Sequence, residues 1–327
     1  MANIKQIATD MGVSVATVSN ALTGKGRVSM DMVERIRKRA DELGYRPSLV
    51  GRALRGGRTG ILGLVMPDLT NPLFPRIAQH LSLVADSRHL GILIADSRGN
   101  SDEQSQAIDR LVDRGVDGLL IVPQKGTSPG PQRVPTVIIN TASDPDNTVS
   151  ADHVGGGNLI ATHIAGLGHR SVVIFGGDPV SEVQRDRIDG MLAGLKNAEE
   201  IQVLWGNEGE GLGGLIPAIH KGATAVMTTS DLLALTVHSH LARAGLSVPG
   251  DVSLTGFDDL PLATAMHPML TTVAQNVAQI AERAIDQLSR KISGEPMPDT
   301  RVTVPMQLVA RHSTANQKQI TNLEVSQ

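Results

Sequence analysis

The chain has 327 residues, 40% hydrophobic and 19% charged, which is ordinary for a globular protein and long enough for two or three domains. It contains no cysteine, which excludes disulfides, a thiol nucleophile and a thiolate-bound metal. Apolar runs such as "ILGLVM" and "GLLIV" fall far short of the ~18 residues of a membrane span, and no apolar leader opens the chain, so a cytoplasmic location is expected. The net charge of −3 hides a division. Residues 1–58 carry 11 Lys and Arg against 5 Asp and Glu, and the remainder 19 against 28. A basic segment on an acidic body fits a nucleic-acid-binding head, and charge alone fits a solvated basic face equally well.

The pattern inside the basic segment separates these readings. "IKQIATDM" puts Ile4, Ile7, Ala8 and Met11 on one helical face, Gly12 offers a left-handed turn, and Ser14 is an N-cap for a second helix from Val15 to about Leu22. Ala8 is small enough for two helices to cross closely, and Val18 anchors the second helix, which together spell a helix-turn-helix. Ser29 caps a third helix with apolar Met32, Val33, Ile36, Ala40 and Leu43. Next comes "RPSLVGRALRGGRTG". Pro47 and Ser48 permit a short helix that Gly51, Gly56 and Gly57 leave marginal alone, and the stretch by itself also reads as a basic linker.

From Ile61 short apolar runs alternate with helical segments: "ILGLVM", "GILIAD", "GLLIV", "TVII", "SVVIF", "QVLW", "AVMTT" and "DVSLTG". That rhythm predicts parallel sheets with crossover helices, and about eleven strands are too many for one sheet of ordinary size, so two lobes are expected. Ligands of such sheets bind outside the carboxyl ends of the strands. The candidates there are Asp68, Asn71, Phe74, Asp96 and Asn140 in the first lobe, and Asp178, Ser181, Arg187, Glu208, Ser230, Asp231 and Asp258 in the second.

The N-terminal motif together with "ADELGYRPSLVGRALRGGRTGILGLVMPDLTNPLF", "DRGVDGLLIV", "GHRSVVIFGG", "RIDGML", "SLTGFDD", "TTVAQN" and "LVARHST" resembles the LacI/GalR family of transcription regulators along nearly the whole chain. The resemblance implies an all-α helix-turn-helix domain (1–46), a hinge helix and linker (47–59), and a periplasmic-binding-protein-like α/β core (60–327) of two doubly wound parallel sheets. The first lobe is expected at about 60–158 and 276–303, the second at about 159–275 and 304–312, with crossings near 158, 275 and 304. The resemblance implies a ligand-responsive regulator, expected to be a repressor, with no cofactor and no catalysis. Val15, Ala16 and Asn20 match base-contacting positions in the major groove of a near-palindromic operator. Thr17 and Ser19 suit phosphates. Leu54 matches the leucine that the hinge helix inserts into the minor groove, with Arg55 at the DNA beside it.

Arg187 and Asp258 match positions that hold polar ligand groups, a fork and a carboxylate able to clamp neighbouring hydroxyls. They also read as a structural ion pair. Purine-responsive members place an arginine and an aromatic where this chain has Ser181 and Glu208, so a saccharide or polyol is expected rather than a nucleobase. The tail "HSTANQKQITNLEVSQ" has no sustained heptad, which predicts a homodimer. His163, His169, His238 and His240 read as surface or helix residues. One alternative remains open: "GEGLGG", Gly209 to Gly214, follows a strand and precedes Asp231, the layout of a nucleotide-binding α/β enzyme.

Overall fold

The computed structural model describes residues 3–23, 26–45, 58–139, 148–207, 211–297 and 299–320. The chain divides into two compact units, Met1–Thr59 and Gly60–Gln327.

The first unit is a three-helix bundle. In α1 (Ile4–Met11) the Asn3 side chain accepts from Gln6 N, and the helix ends at Gly12, whose φ of 65° is left-handed. Val13 N then donates to Ala8 O at 3.0 Å, which closes the turn. Helix α2 (Val15–Thr23) starts on Ser14, whose Oγ accepts from Thr17 N at 3.0 Å. Helix α3 (Met30–Glu42) starts on Ser29, which accepts from Met32 N. Ile7, Ala8, Val18, Ala21, Ile36 and Ala40 form the core, and Arg39 ties α3 to α1 through Asp10 at 2.7 Å.

The second unit alternates strands and helices. Strands β1 (Ile61–Met66), β2 (Gly91–Asp96), β3 (Gly118–Ile121), β4 (Thr136–Ile139) and β5 (Thr148–Ala151) are interleaved with α4 (Leu73–Ser87) and α5 (Ser101–Asp113). After α6 (His153–Gly166) come β6 (Ser171–Gly176), α7 (Glu182–Gly194), β7 (Glu200–Trp205), α8 (Leu215–His220), β8 (Ala225–Thr228), α9 (Asp231–Arg243), β9 (Ser253–Thr255) and α10 (Leu262–Ala265). Strand β10 (Thr272–Gln275), α11 (Val277–Ser293), β11 (Arg301–Val304) and β12 (Met306–Val309) complete it.

Two parallel sheets result, ordered β11-β5-β4-β3-β1-β2 and β7-β6-β8-β9. Helices cover both faces, which is why the inner strands are continuous apolar runs rather than alternating ones. Strands β10 and β12 pair antiparallel between the sheets. The chain crosses between lobes at Asp152, at Asn276 and at Pro305. The first crossing falls earlier than the expected residue 158, because that position lies inside the unbroken α6. The second lobe also runs past the expected end at 312: Leu254 N donates to Ser313 O at 2.8 Å, and Ile320 is buried.

Candidate ligand cleft and nucleic-acid interface

A cavity of about 650 Å³ lies between the lobes. Its first-lobe wall comes from the ends of β1 and β3 (Pro67, Asp68, Val122, Gln124) and its second-lobe wall from segments following β6 and β8 (Asp178, Ser181, Thr229, Ser230). Both pairs flank the point where strand order reverses, the place at which doubly wound sheets open a crevice.

The cleft is built around Arg187. Its Nη2 donates to Asp258 Oδ1 at 2.8 Å, Nη1 to Thr229 O at 2.6 Å and Nε to His153 Nδ1 at 3.3 Å, with the guanidinium 4.1 Å above the Phe257 ring. Helix α7 holds it there by backbone contact with α6: a Cβ on Gly157 would sit 2.1 Å from Arg187 O, and one on Gly190 would sit 2.0 Å from Val154 O. Asp258 Oδ1 also accepts from Gln275 Nε2 at 2.6 Å. Both bonds fall on Oδ1, and Asp258 lines the cavity.

Of the expected cleft residues, Asp68, Asn71, Phe74, Asp178, Ser181, Arg187, Ser230 and Asp258 line the cavity. Asn140 and Glu208 lie outside the described residues. Two expectations are corrected. Asp96 ends the edge strand β2, away from the strand reversal, and its carboxylate accepts from Arg98 N. Asp231 is fully buried, bonded to Leu260 N and Thr272 Oγ1. Sequence reasoning missed Gln124 and Gln184. Gln124 donates to Pro67 O and Ser97 Oγ, and Gln184 accepts from Gly177 N and Thr229 Oγ1. Lone glutamines carry no motif, although their place just after β3 and early in α7 is a signal of a kind.

The lobes also touch directly. Lys125 Nζ lies 3.4 Å from Asp178 Oδ2, and Arg76 of α4 donates to the carbonyls of Asp258 and Asp259. Burial raises the Asp178 carboxyl, but hydrogen bonds from Val180 N and Asn207, with the Lys125 charge, hold it below its ordinary value. Asp68, Asp178, Glu182 and Asp258 face Lys125 and Arg187 around the cavity, an acidic excess that disfavours anions.

His163 lies in α6, within the expectation of a surface or helix position, whereas His169 is buried outside any helix. His169 is buried between Thr224 Oγ1 at 2.8 Å and Ala315 O at 3.0 Å, and His163 Nε2 meets Thr314 Oγ1 at 3.0 Å, so both pin the C-terminal tail. Burial lowers the pKa of each.

The nucleotide-loop alternative does not fit. Gly211–Gly214 is a short 3₁₀ turn after β7, but β8 pairs with β6 rather than β7, so Asp231 is neither on the adjoining strand nor exposed to a ribose.

In the first unit, Val18 and Ala21 of α2 point into the core, which turns Val15, Ala16 and Asn20 outward as exposed side chains, with Thr17 and Ser19 half-buried beside them. Thr17 Oγ1 shares a hydrogen bond with Ser14 Oγ. Leu54 and Arg55 lie outside the described residues.

A helix-turn-helix unit joined to a two-lobed α/β core with a polar cleft defines a ligand-responsive DNA-binding regulator. Residues 3–48 match the family described as bacterial regulatory proteins, lacI family, and residues 161–314 match the periplasmic binding protein-like domain. The chain is 31% identical to the HTH-type transcriptional regulator MalR of Streptomyces coelicolor, over 96% of each chain. It is 28% identical to the ribose operon repressor of Escherichia coli K12, over 96% of this chain and 100% of that one. A crystal structure of the lac repressor dimer bound to operator and the anti-inducer ONPF matches with a TM-score of 0.81 at 22% identity, covering 96% of this chain and 99% of that one. The chain belongs to the lacI family of bacterial regulatory proteins.

Proposed function

We propose that this protein is a cytoplasmic repressor which, as a homodimer, binds a near-palindromic operator with an affinity set by a neutral sugar or polyol in the cleft. It acts by binding, without turning its ligand over. The Arg187–Asp258 clamp carries the reading. Both groups are almost wholly desolvated, yet the pair closes on only one carboxylate oxygen, and an acidic cavity with Phe74 as its single aromatic ring among the described residues suits hydroxyls better than phosphates or flat bases. A relative named for a ribose operon is in keeping with such a ligand.

On the DNA side, Val15 and Ala16 contribute shape and methyl contacts, Asn20 a bidentate adenine contact, and Thr17 and Ser19 phosphate contacts. Leu54 and Arg55 act at the operator centre on the strength of the family resemblance, and Asn140 and Glu208 belong to the cleft because they follow strand ends. The ligand controls DNA affinity by favouring one arrangement of the lobes, since only differential binding shifts such an equilibrium. Calorimetry against a panel of neutral sugars and sugar phosphates, with operator binding measured for each hit, tests the proposal. Binding of a neutral sugar that changes operator affinity supports it, and binding confined to phosphorylated or nucleobase ligands overturns it.

A further inference from the structure

Asp231 lies beneath the cleft at the start of α9. Its backbone N donates to Phe257 O at 2.8 Å, and its Oδ2 accepts from Leu260 N at 2.7 Å, so this residue brackets Phe257–Leu260 from both ends. Within the bracket, Asp259 has the left-handed φ of 50°, and Asp258 has a φ of 109°, which residues with a Cβ adopt only when their surroundings impose it. Oδ1 accepts from Thr272 Oγ1 at 2.6 Å, on the strand that leads to the second lobe crossing. The space is cut for the carboxylate: a Cβ on Gly256 would lie 2.2 Å from Oδ1.

We propose that Asp231 is the positioning residue of the cleft, holding the Asp258 loop in its strained shape. The inference rests on the reading of Asp258 as a ligand group. The groups facing Asp231 are the carboxylates of Asp258 and Asp259, uncharged Thr272 of β10, and Gly256. Arg187 and Arg311 are paired with Asp258 and Asp259. Burial, and then the Asp258 charge, push the Asp231 carboxyl up to about 7.

The test uses the full chain without any sugar, so it is independent of which ligand the cleft takes. Carboxyl-carbon NMR of aspartate-labelled protein, assigned with Asp231→Asn, should show Asp231 titrating near neutrality. Hydrogen exchange of Leu260 N should speed up about tenfold in Asp231→Ala, with β1 and β2 unchanged, and return towards the parent rate in Asp231→Asn, which keeps an acceptor oxygen. If Asp231→Ala does not fold, Thr272→Val replaces it, removing the hydroxyl donor, with a smaller rise in exchange expected. An Asp231 midpoint in the ordinary carboxylate range or unchanged Leu260 exchange in the folded variant would overturn the proposal.

Discussion

Arg187 and Asp258 meet at 2.8 Å with their side chains 4% and 5% exposed, at the floor of a cleft otherwise open to ligand. Removing one member of such a pair leaves the other charge without its partner in a poorly solvated site. Arg187→Ala should therefore destabilise the core by roughly 3–5 kcal/mol. Asp258→Asn should cost less, because the amide oxygen still accepts and Asn tolerates a positive φ better than most residues. Urea unfolding of the two variants checks the order, and equal stability of Arg187→Ala and the parent would contradict it.

The raised Asp231 carboxyl makes stability depend on pH with a definite sign. Its folded value is about 7, above the ~3.9 of an unfolded aspartate, so the folded state binds more protons between these limits. Stability should fall as pH rises from about 4 to about 7 and level off above, by an amount on the order of a few kcal/mol for this group. Asp231→Asn should flatten that segment of the curve, which denaturant titrations at several pH values would reveal.

Gly157 and Gly190 let α6 and α7 touch backbone to backbone, with no room for a Cβ at 2.1 Å and 2.0 Å from the facing carbonyls. Because the obstructing atoms are main chain, they cannot swing aside as a side chain would. Gly190→Ala should destabilise by about 1–3 kcal/mol or more and carry Arg187 away from Asp258. Thermal unfolding measures the first effect, and weakened ligand affinity in the surviving folded protein the second.

Much of this architecture is legible in the sequence because buried parallel strands are continuous apolar runs and because Ser14 and Ser29 mark helix starts. The first lobe crossing was not, since residue 158 falls within α6, where Gly157 lets that helix pack closely on α7. In the cleft, strand ends located Arg187 and Asp258. They could not separate Ser230, which lines the cavity, from its neighbour Asp231, which turns beneath it. Arg76 and the paired histidines act on partners far along the chain, and no local pattern encodes such contacts.

Asn20 is exposed on the outward face of α2. Asn20→Ala should relax base preference at one symmetric pair of operator positions, by about 1–3 kcal/mol per site, without altering sugar binding. Selection from random DNA with the parent and the variant would show the lost preference as a degenerate position. A motif unchanged by Asn20→Ala would place the reading surface elsewhere.

Control of the DNA-binding head by the cleft is the central link. The most direct measurement is the fluorescence anisotropy of an operator selected by the parent protein, titrated with parent and Asp258→Asn, each with and without the neutral sugar that binds the parent in calorimetry. The expected result is a ligand-dependent change in operator affinity of about tenfold, or 1.4 kcal/mol, in the parent. Asp258→Asn should bind the operator as the ligand-free parent does and ignore the sugar. A response of equal size in both proteins, or a sugar that binds the parent and leaves operator affinity unmoved, would contradict it.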